Sequence, residues 1–316
     1  MALSLNNFEI TGFVFAAGLE ANGEVRALGA RFGGQLDLRE AKLCNREGNA
    51  LNLESASSKQ LTLGPVDIAD PLGPVDITGK VRLYRAAISD LETDANPPSP
   101  LVATGWEVTD IHGPLRSGWA AARRWMETTA ETSVQPWHAL AAVYERNGEP
   151  AGARRLRFAA ARKVTRQSPL ATKILRGIYG VVVGYGYYPL LAGFWLAMVV
   201  LAGTIIVATN GADFVPTTPA TASSPPLANA EQAHEPNPAP ITGQTPCSSH
   251  PNYPCLIPFT YTVSALVPTF GMATSDWTTR SDATNWLTIA LPLLKLTAWA
   301  LTALLLAGVT GFLQKT

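Results

Sequence analysis

Charge is what this sequence has least of. Asp, Glu, Lys and Arg make up 15% of its 316 residues, against roughly a quarter in an average soluble domain, so part of the chain is built to meet lipid. Acids and bases balance at 24 each, and the zero net charge hides a strong asymmetry along the chain. Cysteine is scarce too: three residues and no C-x-x-C pair, which leaves no dithiol redox motif. The four histidines, His112, His138, His234 and His250, all lie outside the long apolar runs, so no paired axial haem ligands stand within a membrane. No G-x-G-x-x-G joins a strand to a helix, and no Ser/His/Asp set carries a nucleophile motif. The opening MALSLNNFEI lacks a basic segment followed by an apolar one, so no signal peptide is expected and the first domain is expected to stay in the cytoplasm. These absences leave no residue to assign to catalysis, to a cofactor or to a metal.

What is present first is a repeat. Leu36-Asp37-Leu38 followed by Leu43, Leu61-Thr62-Leu63 followed by Ile68, and Val81-Arg82-Leu83 followed by Ile88 share the form L-x-L-x-x-x-x-L, at steps of 25 and 20 residues. Phe13-Val14-Phe15 with Leu19 is a looser copy, and the hexamer LGPVDI occurs at 63–68 and again at 72–77. Such a period with alternating apolar pairs predicts stacked strand coils, because one coil cannot bury its own apolar row. Leu36 and Leu38 would point inward and Asp37 outward. A β-sandwich is the competing fold. Residues 1–95 hold 13 acids and 9 bases, an ordinary solvated surface rather than a mimic of nucleic acid.

Asn96-Pro97-Pro98-Ser99-Pro100 breaks the pattern. Trp119, Arg123 and Met126 then suggest a helix over 117–129. Trp137, Leu140, Ala141 and Tyr144 fall on one helical face, Asn147-Gly148 supplies a left-handed stop, and Pro150 opens the next helix, which carries Ala153, Leu156, Phe158 and Ala160. This is a helical hairpin. His138 lies beside its apolar face with no ligand partner at i+4.

Two runs are long and apolar enough to cross a bilayer, about 190–208 and about 296–313, the second bracketed by Lys295 and Lys315 as interfacial anchors. Ahead of the first, Arg154, Arg155, Arg157, Arg162, Lys163, Arg166, Lys173 and Arg176 follow one another with no acid between them. This basic collar suits anionic lipid headgroups and, without interleaved aromatics, gives no reason to expect nucleic acid. Between the runs, Asp213, Glu231, Glu235, Asp276 and Asp282 face a single Arg280. The bias predicts a multi-pass plasma-membrane protein with both termini cytoplasmic and 209–295 outside. Phe214 to Thr245, rich in Pro, Thr, Ala and Ser, is expected to be irregular. Cys247 and Cys255 would lie on the oxidising side and are candidates for a disulfide.

The string VVVGYGYYP at 181–189 contains the GYG of a potassium filter. It precedes the first span and follows no pore helix, so it reads as a membrane-entry element, with Tyr185, Tyr187 and Tyr188 at headgroup level. The segment 257–272 occupies the pore-loop position and reads as a re-entrant or interfacial helix.

GARFGGQLDLREAKL with its A-x-L/F steps resembles the pentapeptide-repeat family, which implies a right-handed, four-sided β-helix. The order of those repeats, GWEVTDIHGPLR, QPWHALAAVYERNGEPAGARRLRFAAARK and VVVGYGYYP before a span resembles a group of actinobacterial two-span membrane proteins often labelled membrane-associated oxidoreductases. The reading is therefore a mixed fold. It has a right-handed parallel β-solenoid over 1–95, a linker and juxtamembrane helical hairpin over 96–176, and a membrane domain over 177–316. The expected function is a membrane-anchored scaffold that recruits a cytosolic protein. The alternative is a membrane-associated oxidoreductase, channel-like or transport subunit whose site forms on homo-oligomerisation.

Overall fold

The computed structural model describes residues 1–65, 72–94, 100–129, 131–222, 240–250, 252–267, 276–280 and 285–313. The expected features at Val66–Ile68, Asn96–Ser99, Glu231, His234, Glu235, Pro268–Met272, Asp282 and Lys315 lie outside the described residues. The chain divides into two compact units, Met1–Ile178 and Tyr179–Thr316.

Among the described residues, the first unit begins with twelve strands: β1 (Leu3–Ser4), β2 (Glu9–Ile10), β3 (Val14–Phe15), β4 (Glu20–Asn22), β5 (Val25–Arg26), β6 (Arg31–Asp37), β7 (Lys42–Asn52), β8 (Ser57–Thr62), β9 (Asp76–Arg82), β10 (Ala87–Glu92), β11 (Leu101–Val102) and β12 (Glu107–His112). All pair in parallel within two sheets, ordered β1-β5-β7-β9-β11 and β12-β10-β8-β6-β2, with β4 added on β7 and β3 on β6. Parallel pairing aligns like with like. One ladder runs Leu3, Val25, Leu51, Val81, Leu101. Another runs Val14, Leu36, Leu61, Leu91, Ile111. From the second rung onward both ladders are buried. At about 2 kcal/mol for each fully buried aliphatic side chain, these rows hold the unit together.

Two expectations are corrected by these registers. Leu61 pairs with Leu91, and Val81 pairs with Leu51, so the step from Leu61 to Val81 joins two different ladders and is not one turn of the repeat. The strands also continue past residue 95, because β11 and β12 add a further rung to each sheet. Pro100, which lacks an amide donor, stands just ahead of β11, and its carbonyl accepts from the Val81 amide at 3.0 Å.

One column of corners repeats the same turn from coil to coil. Leu5, Ala27, Leu53, Leu83 and Ala103 accept hydrogen bonds from the amides three residues on, at 3.3 Å for Leu5, 3.4 Å for Ala27 and 3.1 Å for the other three. The residue before each of those donors, Asn7, Gly29, Ser55, Arg85 and Gly105, has φ between 54° and 79°. A positive φ at the third residue of a turn is a glycine or asparagine preference, and only Ser55 and Arg85 depart from it.

A 3-10 turn, Gly113–Ser117, leads to α1 (Trp119–Glu127), α2 (Gln135–Arg146), α3 (Pro150–Gln167) and α4 (Leu170–Val183). Trp137, Leu140, Ala141 and Tyr144 on α2 are buried, as are Ala153, Leu156 and Ala160 on α3. Gly148, at φ 78°, turns the chain between them. These helices and the loop before α2 cover the last strands. Glu131 Oε2 accepts from the Ala103 and Thr104 amides at 2.8 and 3.0 Å. Gln135 accepts from Gly105 N–H at 2.8 Å and donates to the Trp106 carbonyl at 3.1 Å. Arg146 donates to the Val108 carbonyl at 3.0 Å. Side chains thus satisfy backbone groups that a further rung would otherwise have taken. At the opposite end β1, β2 and β3 have two residues each, and Phe8, Phe13 and Phe15 are 53%, 65% and 74% exposed.

The second unit contains α5 (Leu190–Thr209), β13 (Phe214–Pro216), α6 (Pro219–Ala222), α7 (Pro258–Leu266), β14 (Trp277–Thr279) and α8 (Asn285–Leu313). Among the described residues, two helices are long and apolar enough to cross a membrane, over Leu190–Thr209 and Trp286–Thr310. The second begins well before the expected 296. It carries Pro292 and Lys295 inside it, and Lys295 Nζ lies 5.5 Å from the Trp299 ring centre. Trp286–Leu294, mostly apolar, is already helical ahead of the lysine, so Lys295 does not mark the start of the helix. Gly203 admits α7 to α5: a Cβ there would sit 2.7 Å from Thr262 Cγ2. Phe214–Pro216, expected to be irregular, pairs antiparallel with β14, and Phe214 is buried with Val207, Tyr253 and Trp277. Burial of that aromatic cluster orders a stretch whose composition alone predicts a loop.

Candidate functional site

The helical part of the first unit holds a cavity of about 570 Å³. Its walls follow from helical spacing. On α1, Trp119, Arg123 and Glu127 fall at i, i+4 and i+8; on α3, Arg155, Phe158/Ala159, Arg162 and Arg166 share a face. Trp137 of α2 contributes to the lining and is 2% exposed. The Trp137 indole N–H is buried and has no hydrogen-bond partner among the described residues. The cations are spread over these aromatics: the Arg155 guanidinium lies 5.3 Å from the Trp119 ring centre, and Lys163 Nζ lies 6.0 Å from that of Trp137.

Charge in the cavity is one-sided. Arg123 is paired with Glu127 at 2.8 Å. Arg155, Arg162 and Arg166 have no acidic partner among the described residues. Lys163 donates to the carbonyl and hydroxyl oxygens of Thr129, at 3.1 and 3.0 Å. Burial pushes its ammonium below the ordinary lysine value, and Glu131 partly opposes that shift.

The expected basic collar therefore splits into parts. Arg155, Arg162, Lys163 and Arg166 line the cavity. Arg157 pairs with Glu145, and Arg154 stands outside the cavity. Lys173 and Arg176 lie on α4, whose Leu170, Ile174, Leu175 and Ile178 are exposed, giving that helix an apolar face beside its basic one.

The tyrosines of the GYG element stand in and beside a tight turn. Gly184, Tyr185 and Gly186 all have positive φ, at 57°, 55° and 84°. This turn folds the Tyr185 ring back over Gly180, where a Cβ would lie 2.5 Å from its Cζ. Tyr187 is half-buried and Tyr188 is exposed. Trp195 donates its indole N–H to the Val181 carbonyl at 3.1 Å, a link between α4 and α5 that the letters alone do not reveal.

A second cluster was missed in the sequence. Asp90 and Asp110 are paired in register on β10 and β12. His112 Nε2 lies 3.5 Å from Asp90 and 3.7 Å from Asp110, and one donor atom from each residue falls within 4.8 Å of the others. Burial by itself would raise the Asp110 carboxyl. Hydrogen bonds from Asn147 and the Ile111 amide, with His112 and Arg116 nearby, outweigh burial and hold it below the ordinary value. The set has the oxygen and imidazole donors that divalent ions use, while Arg116 works against a cation. Only the strand register brings Asp90 to the other two. His138 is on the exposed side of α2.

In the second unit Cys247 and Cys255 are joined by a disulfide, with Cα atoms 5.6 Å apart. The loop encloses a buried His250 whose Nδ1 is 3.2 Å from the Tyr253 carbonyl. His250 and Tyr253 both meet Trp277 edge-on, at 6.0 and 5.8 Å. Trp277 donates to the Pro254 carbonyl at 2.9 Å. These contacts give His250 a packing role. Cys44, the remaining cysteine, is a free thiol and half-buried. No protein-family model, curated protein or solved structure matches the chain.

Proposed function

We propose that the chain is a membrane-anchored interaction protein. The strand unit would be a right-handed parallel β-solenoid of the pentapeptide-repeat kind, held on the cytoplasmic face of the plasma membrane by α5 and α8. In-register ladders at steps of 20 to 30 residues support the solenoid. The acid-free basic run before α5 supports the orientation, and the apolar face of α4 supports contact with the same leaflet. The observation that carries the interaction role is the contrast between the two ends of the strand stack. One end is closed by Glu131, Gln135 and Arg146. The other presents Phe13 and Phe15 stacked on each other, with ring centres 6.1 Å apart, beside short strands whose outer edge carries no further strand among the described residues. That edge offers main-chain hydrogen bonds and an aromatic grip to a cytosolic protein segment that adds as a strand.

The test uses the full chain in cells, with a photo-reactive side chain at position 15 and, as a control, at Arg124. A discrete cytosolic adduct from position 15, absent from position 124 and abolished by Phe13→Ser, supports the reading. Identical adducts from both positions, or none, would refute it; an adduct with a second copy would replace recruitment by self-association. Reporter fusions that place the N-terminus outside the cell would overturn the orientation.

A further inference from the structure

The cavity on α1 and α3 goes beyond that reading, because it is a formed site with an excess of positive charge. A lipid-facing collar needs only exposed bases on one side of a helix. Here Arg155 lies over Trp119 and Lys163 over Trp137, and four of the eight collar cations line one concavity. Holding Arg155, Arg162, Lys163 and Arg166 together without a carboxylate among them costs repulsion, which a bound anion would relieve. The single acid in the lining, Glu127, is already engaged by Arg123.

We propose that this cavity binds a phosphomonoester or diphosphate group. Arg155, Arg162 and Arg166 would take the phosphate oxygens, and Trp119 and Phe158 would pack against the group that carries the phosphate. Guanidinium forks suit phosphate oxygens better than any neutral donor. The volume lies within the range of small-ligand sites, roughly 300 to 1,000 Å³. Lys163, tied to Thr129, fixes the wall beside Trp137 and leaves direct phosphate contact to the arginines. The phosphate has two sources with the same chemistry, a phospholipid headgroup and a soluble phosphorylated metabolite.

The experiment uses the full chain in a neutral detergent, with inorganic pyrophosphate as the probe in calorimetric titration. Saturable binding is expected. Arg162→Gln and Arg155→Gln should each weaken it about tenfold or more, the loss of one charge-assisted hydrogen bond. Arg154→Gln, on the same helix but not among the residues that line the cavity, should change it by less than about twofold, since a charge that does not reach the phosphate acts on it only through screened solvent. Equal weakening by all three variants, or no saturable binding, would overturn the site and leave the interaction reading at the strand edge intact. Flotation of the N-terminal unit's intact parent with vesicles then separates the sources. Enhanced retention of pyrophosphate-competable contacts on phosphatidic acid, over phosphatidylglycerol at equal charge, assigns the site to a lipid headgroup. No difference between the two vesicles, with pyrophosphate binding retained, assigns it to a soluble ligand.

Discussion

Tyr144 donates its hydroxyl hydrogen to the Leu115 carbonyl at 2.9 Å, tying the buried face of α2 to the 3-10 turn that follows the last strand. Both residues are inaccessible, so Tyr144→Phe leaves a buried carbonyl without its partner. The expected loss is about 1 to 3 kcal/mol, read as a lower unfolding midpoint of the full chain.

The same hydroxyl sets an alkaline limit. Burial, with Glu149 adding and Arg116 opposing, pushes the Tyr144 pKa up from 10.0 to about 12. Between those values the folded chain keeps a proton that the unfolded chain has released. Stability is therefore unaffected by this group below pH 10 and falls as pH rises through the interval, by about 1.4 kcal/mol per pH unit. Unfolding followed from pH 9 to 12 should show this slope in the native chain and a shallower one in Tyr144→Phe. Equal slopes would remove Tyr144 as the cause.

Corner residues give a prediction of opposite sign. Ser55 has φ 55° in a column otherwise occupied by Asn7, Gly29, Arg85 and Gly105. Its amide still donates to the Tyr84 carbonyl at 2.8 Å, so replacement by glycine keeps the ladder and relieves the left-handed backbone. Ser55→Gly should stabilise the strand unit by about 1 kcal/mol. Gly29→Val should do the reverse, because a Cβ at 29 would meet Asn7 Oδ1 at 2.7 Å. Hydrogen exchange of the strand amides reports both changes, and a slower exchange in Gly29→Val would contradict the turn assignment.

The ladder residues explain what was legible beforehand. Leu36 and Leu61 are visible as a repeat because one coil separates them and their neighbours keep the same alternation. Val81 misled, since it repeats the letters of Leu61 but belongs to the ladder of Leu51; parallel coils carry similar motifs on more than one side, and spacing alone does not sort them. Apolar runs exposed α5 readily, whereas the length of α8 was hidden behind Lys295, which composition treats as a boundary. The cavity was half legible: its bases stood out as a charge run, but their concave arrangement depends on α1 crossing α3, a long-range contact that no local pattern encodes.

In the second unit, the close approach of α7 to α5 rests on Gly203. Because a Cβ there would lie 2.7 Å from Thr262 Cγ2 and 3.1 Å from Leu266 Cδ1, Gly203→Leu should force the helices apart. A cysteine pair placed at Ser264 and a facing α5 position would then lose its cross-linking, while Ala192→Gly, away from that contact, would leave it unchanged. Undiminished cross-linking in Gly203→Leu would mean that the two helices do not pack as described.

The Cys247–Cys255 loop makes the last prediction. The bridge closes a short loop of sequence separation 8, for which loop-closure entropy gives about 2 to 3 kcal/mol. What it holds is the aromatic cluster: His250 and Tyr253 against Trp277, and through β14 the strand Phe214–Pro216. Replacing both cysteines by serine should weaken the near-ultraviolet dichroism of Trp277 and speed amide exchange at Val215. The strand amides of the first unit should be untouched, since Cys44 is not part of the bridge. Cys44→Ser serves as the control for thiol removal alone. Unchanged exchange at Val215 after loss of the bridge would show that burial of Phe214 and Trp277 holds β13 against β14 without help from the disulfide.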